Sequence, residues 1–170
     1  MLRPATPADI PSLLLLEREC ATAAHWTKQQ YEELFQPGAH SPPRLVLVAD
    51  RIREIFSIPD SAICSKASSY LLGFLVARRV APEWELENIV IAPEARRTGL
   101  GTRLLAALLA QARETNSQSV FLEVRESNAA ARSLYEKAGF KFIAHRKSYY
   151  TSPQEDAVLY TWLADTWVGD

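Results

Sequence analysis

Cysteine is scarce in this chain, which has only Cys20 and Cys64 among its 170 residues. Neither belongs to a Cys-x-x-Cys pair or to a Cys/His cluster, so the sequence contains neither a disulfide framework nor a zinc motif. The three histidines, His25, His40 and His145, are far apart and lack metal-ligand spacing. We therefore expect reduced thiols and no metal site.

The sequence also lacks an excess of charge of either sign and any long apolar run. The formal net charge is −1 and no long block of Lys or Arg occurs, which argues against nucleic acid as the main partner because backbone binding needs clustered cations. The leucine run at residues 13–16 is too short for a signal peptide or a membrane span. The sequence therefore predicts a cytoplasmic monomer that binds neither nucleic acid nor a membrane.

The length and composition are those of one globular domain. With 48% hydrophobic and 23% charged residues, a chain of this size can bury its own core. We expect a single domain over residues 1–165 and a patternless tail at 166–170. Residues 51–69 mix apolar and charged side chains without a period, so we predict an inserted loop whose amide hydrogens exchange faster than those of the flanking strands.

Capping signals predict where the helices begin. Thr6 and Asp9 have the spacing of a capping box, and Thr27 with Gln30 repeats it, so helices should start at both places. Trp26, just before the second cap, can act as a hydrophobic staple against the following helix or can face a ligand. Further helices are predicted after residue 100 and over residues 129–138.

Short apolar runs predict strands at residues 45–49, 70–77, 84–91, 119–124, 140–144 and 157–162. Gly73 marks a candidate bulge in the second of these. With one further strand placed before the first helix, the order of elements is strand, two helices, three strands, helix, strand, helix and two strands. This order predicts an α/β (α+β) fold with a single central mixed, largely antiparallel sheet flanked by helices.

A strand–loop–helix segment carries the clearest binding signal. The apolar run at residues 89–92 is followed by Arg96, Arg97, Gly99 and Gly101, and then by leucines at helical spacing. Glycines at a helix N-terminus allow unpaired backbone N–H groups to approach an anion, and the two arginines add planar donor forks. The third glycine of a dinucleotide loop and the Lys-Ser or Lys-Thr of a mononucleotide loop are both missing, so both nucleotide interpretations are weak, and a glycine-rich turn with two solvated arginines is the alternative to an anion site.

The same stretch resembles the Gln/Arg-x-x-Gly-x-Gly/Ala signature of the GNAT acetyltransferases, in which it binds the pyrophosphate of acetyl-coenzyme A. Within that family, residues 122–140, and residues 146–150 followed by 155–157, are similar to the ribosomal-protein-alanine N-acetyltransferases. The resemblance covers residues 84–159 with specific motifs and the N-terminal quarter more loosely. Residues 51–69 depart from the family pattern.

The resemblance implies the GNAT fold and acetyl-coenzyme A as cosubstrate, with no metal. It implies that the strand, the loop and the cap of a later helix contact the coenzyme, namely Ile89, Val90, Ile91, Arg96, Arg97, Thr98, Gly99, Leu100, Gly101, Thr102 and Asn128. The side chains of the strand are expected in the core, so that only their backbone contacts the ligand. Asn128 can also cap its own helix.

The resemblance assigns the general base to Glu123 and the general acid to Tyr135. Acetylating an α-amine, whose pKa is near ~7.7–8.0, needs a base that accepts a proton directly or through water. Glu123 can instead be a structural carboxylate paired with Arg125 or another cation, and Tyr135 can be a packed helix tyrosine. A Cys–His acyl-enzyme route is the weaker mechanism, because Cys20 lies on a predicted buried helix face.

Glu85, Tyr149 and Tyr150 are the substrate-binding residues that the resemblance implies, with Glu83 as a further acid near the amine. A solvated strand face and edge-strand aromatics are the plainer alternatives. The implied reaction acetylates the N-terminal alanine of the eighteenth small-subunit ribosomal protein. Other protein N-termini, small amines and a non-catalytic acyl-coenzyme A-binding module remain as alternatives.

Overall fold

The computed structural model describes residues 1–20, 22–36, 38, 42–51 and 71–164. The tail at 166–170 and the predicted insertion at 51–69, apart from Arg51, lie outside these residues, as do His40 and Cys64. Within the described ranges, no helix is both long and apolar enough to cross a membrane.

The described residues form seven strands and four α-helices. The strands are β1 Leu2–Pro4, β2 Arg44–Asp50, β3 Leu71–Val80, β4 Glu83–Ile91, β5 Ser119–Arg125, β6 Lys141–Thr151 and β7 Gln154–Leu163. The helices are α1 Ile10–Arg18, α2 Lys28–Glu33, α3 Leu100–Glu114 and α4 Ala129–Lys137, with 3-10 turns at Pro7–Asp9 and Pro93–Ala95.

All seven strands form one sheet in the order β1-β2-β3-β4-β5-β7-β6. Among these seven described strands, β4 and β5 form the one parallel pair, and α3 makes the crossover that a parallel pair requires. The remaining pairs are antiparallel. The predicted mixed, largely antiparallel sheet with flanking helices is thereby confirmed.

The predicted helix starts are confirmed by their caps. The Asp9 carboxylate accepts a hydrogen bond from the Thr6 backbone N–H at 2.8 Å, and the Thr27 hydroxyl oxygen accepts one from the Gln30 N–H at 3.3 Å. Trp26 packs on Tyr31 with ring centroids 5.5 Å apart. Trp26 therefore acts as the staple that fixes the entry into α2.

The polar hairpin β6–β7 is longer than the sequence predicts. Strands were expected at residues 140–144 and 157–162, but β6 and β7 extend toward each other and turn at residues 152–153. β6 is almost entirely exposed at the edge of the sheet. An edge strand needs no apolar alternation because neither of its faces has to be buried, so the periodicity that reveals other strands is missing here.

Gly73 lies beside the irregularity that was predicted for it. Ala49 pairs with Gly73, whereas Asp50 pairs with Leu71, so the register shifts at this point. A Cβ atom at Gly73 would lie 2.8 Å from the backbone oxygen of Val90 on the next strand. Glycine is therefore required here by the close approach of β3 and β4.

A second bulge lies in the middle of β4. Ala77 pairs with Leu86 while Val76 pairs with Asn88, which leaves Glu87 as the extra residue. Because neighbouring residues of β3 point to opposite faces, Leu86 and Asn88 also point to opposite faces. The two halves of β4 thus bury their alternate side chains against different helices.

Two hydrogen bonds link those faces to the helices. The Trp84 indole N–H donates to the Thr115 hydroxyl oxygen at 3.0 Å at the end of α3. The Asn88 side-chain amide donates to one carboxylate oxygen of Glu17 on α1 at 2.9 Å. The other oxygen of Glu17 accepts from the backbone N–H of Trp26 at 2.8 Å. Glu17 is only 1% exposed, so these donors satisfy a carboxylate that would otherwise be costly to bury.

Beyond the bulge, β4 and β5 separate. Their ladder joins Glu83–Leu86 to residues 119–122 and ends there, whereas β5 remains paired with β7 along its whole length. In the part of the chain that the structure describes, no ladder joins residues 87–91 to residues 123–125. The sheet therefore has an opening between these two strands, lined by strand backbone that a ligand can pair with. We call it the β4–β5 opening.

Candidate active site

The loop before α3 has a backbone shape suited to an anion. Arg97 and Gly99 both have positive φ angles, 64° and 83°, and left-handed residues close together turn successive backbone N–H groups toward one side. Gly99 is the N-cap of α3, and no side chain caps the helix. The N–H groups of the first turn are thus left to a ligand or water.

The two glycines of this loop are required for different reasons. At Gly99 a Cβ atom would meet nothing within 4 Å, so it is the left-handed backbone that favours glycine. At Gly101 a Cβ atom would lie 2.9 Å from the Leu134 side chain of α4. Gly101 therefore permits the close packing of α3 on α4, which the sequence alone did not reveal.

The polar side chains of the loop surround its backbone. The Arg96 guanidinium donates to the Ile91 carbonyl oxygen at 3.4 Å and contacts the Cys20 sulfur at 3.7 Å. The Thr98 hydroxyl donates to the Ala95 carbonyl oxygen at 2.7 Å. Arg97 and Thr102 are exposed. Two arginines and an uncapped helix N-terminus thus make one positively polarised surface.

The strand leading into the loop presents mainly backbone. Val90 is 3% exposed and belongs to the core, while Ile89 and Ile91 are half-buried and pack against it. Leu100, the first residue of α3, is buried in the same core. The Val90 side chain lies in the core as expected, whereas Ile89 and Ile91 keep part of their side chains exposed, and the contact of residues 89–91 with a ligand stays a prediction.

Glu123 lies on β5 beside the β4–β5 opening and interacts with β6. Its carboxylate accepts a hydrogen bond from the Arg146 guanidinium at 2.5 Å. The guanidinium also lies over the Tyr149 ring, 4.3 Å from its centroid. A hydrogen bond to the Glu123 carboxylate raises the pKa of the Tyr149 hydroxyl. The structure thus brings together two predicted residues, Glu123 and Tyr149, and adds Arg146.

The cation beside Glu123 is Arg146, and not Arg125, which the sequence suggested as its partner. Arg125 pairs instead with Glu155 at 3.1 Å, and its guanidinium lies 4.0 Å from the centroid of the Tyr150 ring. Arg146 was missed because it lies on the part of β6 that has no strand periodicity. Its position at the start of the family motif 146–150, three residues before Tyr149, was the available signal.

Tyr135 is on α4, below the other face of the sheet. It is 5% exposed, and its ring packs on Phe140 at 5.9 Å and on Tyr160 at 6.3 Å. Burial raises the pKa of the Tyr135 hydroxyl, and Tyr150 contributes to the same shift. Tyr135 therefore keeps its proton at neutral pH, and Tyr150 lies within electrostatic reach of it.

The two acids of β4 that the sequence suggested, Glu83 and Glu85, each interact with another side chain. Glu85 forms a salt bridge with Arg78 at 2.5 Å and contributes to the raised pKa of Tyr149, so it belongs to the same neighbourhood. Glu83 accepts a hydrogen bond from the Ser119 hydroxyl at 2.5 Å and lies further along the strand. Of the two acids considered on β4, only Glu85 is thus linked to the Glu123 surroundings.

Glu87, the bulge residue, was not predicted as part of the site. Its carboxylate lies 3.5 Å from Arg44 and 3.6 Å from Arg78, and burial raises the pKa of Glu87. The bulge that places it there exists only in the pairing of β3 with β4, so no local sequence signal could have found it.

Asn128 caps α4, the plainer of its two predicted roles. Its side-chain oxygen accepts a hydrogen bond from the Ala131 N–H at 3.1 Å. Among the described residues, no group of His, Cys, Asp and Glu side chains could hold a metal ion.

The sequence is similar to those of known acetyltransferases. Residues 15–140 match the acetyltransferase (GNAT) family. A ribosomal protein bS18-alanine N-acetyltransferase of Haemophilus influenzae is 42% identical over 95 residues, which make up 54% of this chain and 64% of that protein. The match therefore spans less than two thirds of the length of that relative.

Two further proteins match over nearly the whole chain. A Bacillus subtilis protein that carries the same name provisionally is 36% identical over 153 residues, 89% of this chain and 87% of its own length. The crystal structure of Arabidopsis thaliana NAA60 in complex with acetyl-CoA is 17% identical and has a TM-score of 0.76, covering 96% of this chain and 99% of that one. The chain belongs to the GNAT acetyltransferase family.

Proposed function

We propose that this protein transfers the acetyl group of acetyl-coenzyme A to the N-terminal α-amine of a protein, with the N-terminal alanine of ribosomal protein bS18 as the acceptor. The observation that carries the proposal is the Glu123 carboxylate on β5, one residue beyond the end of the β4–β5 ladder, together with the buried and protonated Tyr135 hydroxyl on α4. The activity named for the bacterial relatives supports the choice of acceptor. A ribosomal acceptor implies action in the cytoplasm.

The residues of the loop and of β4 suit the coenzyme. The pyrophosphate would be held by the uncapped N-terminus of α3 together with Arg96 and Arg97. The side of residues 89–91 that does not pair with β3 would hydrogen-bond the amides of the pantetheine arm. Acetyl-coenzyme A supplies an acyl group activated as a thioester.

Two side chains of the chain would move the protons. In its role as general base, Glu123 accepts a proton from the α-amine, directly or through water, because only the neutral amine is a nucleophile. In its role as general acid, Tyr135 donates a proton to the departing sulfur. Burial of its hydroxyl keeps that proton in place until it is needed.

Mass spectrometry would test the proposal. The protein is incubated with acetyl-coenzyme A and a panel of N-terminal peptides, lysine peptides and small amines, and we expect the peptide with the N-terminal sequence of bS18 to gain one acetyl group at its α-amine. Acetylation of small amines or lysine side chains alone would contradict the proposed acceptor. Binding of the coenzyme without transfer to any amine would indicate a non-catalytic module instead.

A pair of variants isolates the base. Glu123→Gln should lower kcat/KM by about 10²- to 10⁴-fold, the usual contribution of general-base catalysis, while acetyl-coenzyme A still binds. Glu126→Gln, which removes a half-exposed acid three residues away, should keep the wild-type rate. Equal rates for the two variants would remove Glu123 from the mechanism.

A further inference from the structure

Four carboxylates near the β4–β5 opening, among the residues that the structure describes, are each paired with an arginine. The pairs are Glu85 with Arg78, Glu87 with Arg44, Glu123 with Arg146 and Glu155 with Arg125. An opening built to attract a cationic amine by charge alone would leave at least one of these acids unpaired. The observed pairing instead leaves little net negative charge around the acceptor.

Arg146 makes the pair that concerns the proposed base. It lies on β6, and β7 separates β6 from β5. In the sheet register, Ala157 of β7 is the neighbour of Arg146 on one side and of Arg125 on the other. Ala157 has the smallest side chain of β7, and the Arg146 side chain extends over the strand there to reach Glu123. A larger residue at position 157 would stand between the two charges.

We propose that Arg146 is a positioning residue that orients the ionised Glu123 carboxylate and offsets its negative charge, so that the acceptor amine is held in its neutral, nucleophilic form. This inference rests on the proposed function. An unpaired carboxylate would bind the α-ammonium as an ion pair and favour the protonated amine, which cannot attack an acyl group. A guanidinium on the same carboxylate opposes that binding, because it repels the ammonium.

The other groups around Glu123 do not replace Arg146. On β6, the pKa values of the Tyr149 and Tyr150 hydroxyls are raised, so both hydroxyls remain protonated and neutral. On β4, Glu85 is already paired with Arg78. On β7, the residue opposite Glu123 is the apolar Leu159. Arg146 is therefore the cation in contact with the base.

Steady-state kinetics between pH 6 and 9 would test the inference with four variants. Arg146→Gln and Arg146→Met both remove the charge, and Met keeps an apolar stem over the Tyr149 ring. Arg146→Lys keeps the charge. Lys141→Gln removes a different exposed cation from the same strand and serves as the matched control.

We expect the two neutral variants to lower KM for the acceptor peptide while kcat at pH 7 falls about tenfold and recovers toward pH 9. One nearby charge changes the proton affinity of a group by about one pH unit or more, which corresponds to that factor. An N-terminally trimethylated peptide, a permanent cation that cannot be acetylated, should inhibit these variants more strongly than the wild type. Arg146→Lys and Lys141→Gln should keep the wild-type KM, inhibition and pH dependence.

The outcomes separate this inference from the proposed function. If Arg146→Gln and Arg146→Met raise KM, or lower kcat equally at every pH, Arg146 is merely structural and the inference is wrong. If Glu123→Gln retains full activity, or the wild type acetylates no amine, the proposed function fails first. Should either neutral variant not fold, the other one and the trimethylated peptide give the same decision.

Discussion

At the scale of single residues, the role of the Tyr135 hydroxyl can be tested separately from the packing of its ring. The ring contacts Phe140 and Tyr160, and phenylalanine would keep both contacts. We predict that Tyr135→Phe lowers kcat with little change in the affinity for acetyl-coenzyme A, measured by calorimetry, because only the proton donor is lost. The loss should persist at pH 9.

The same pH series should separate the two proposed roles. Glu123→Gln should regain part of its rate as the pH approaches the ~7.7–8.0 pKa of an α-amine, since free amine then needs no base. If both variants keep wild-type kcat from pH 6 to 9, positioning of the reactants alone accounts for the rate.

At the scale of one element, the N-terminus of α3 uses two glycines for two purposes. Gly99→Val places a branched side chain at φ 83°, a conformation that costs L-residues about 1–2 kcal/mol, so we predict a distorted loop and weaker acetyl-coenzyme A binding by calorimetry. The fold should remain, because no atom lies within 4 Å of the new Cβ.

Gly101→Val is the matched substitution two residues later. Its Cβ would meet the Leu134 side chain at 2.9 Å, so overpacking between α3 and α4 should lower the free energy of unfolding by about 1–3 kcal/mol. Urea denaturation measures that loss. Unchanged coenzyme affinity in Gly99→Val would contradict the anion-binding loop, whatever the stability of Gly101→Val.

At the scale of the whole molecule, Arg3 fastens the N-terminal segment to the sheet. Its guanidinium binds Asp9 at the 3-10 turn and Asp50 on β2, each at 2.8 Å. The hydrogen bond from Arg3 lowers the pKa of Asp9 to about 2. Because the pKa of an aspartate in an unfolded chain is near ~3.9, the folded state is stabilised above that pH and loses the contribution as the pH falls toward 2.

Acid denaturation would measure this contribution. We predict that Asp9→Asn is less stable than the wild type at pH 7 by about 1–2 kcal/mol, after allowance for solvent screening around the partly exposed Arg3. The difference should shrink between pH 5 and pH 2. A stability difference that stays constant over this range would show that packing, and not charge, anchors the segment.

Local chemistry is what the sequence by itself determined. Capping boxes at Thr6 and Thr27, leucine spacing in α3 and the alternation in β5 depend on neighbours within a few residues, so the helices and most strands could be predicted. The glycine–arginine motif identified the family for the same reason. The edge strand β6 was underestimated because exposure removes the periodicity on which such predictions depend.

Tertiary structure decided which charges meet and where the sheet opens. Arg146 lies 23 residues after Glu123 and reaches it across the intervening strand β7. The bulge at Glu87 and the end of the β4–β5 ladder follow from register between strands. No residue carries a local signal for either, since pairing partners distant in the chain are chosen by the packing of the whole sheet.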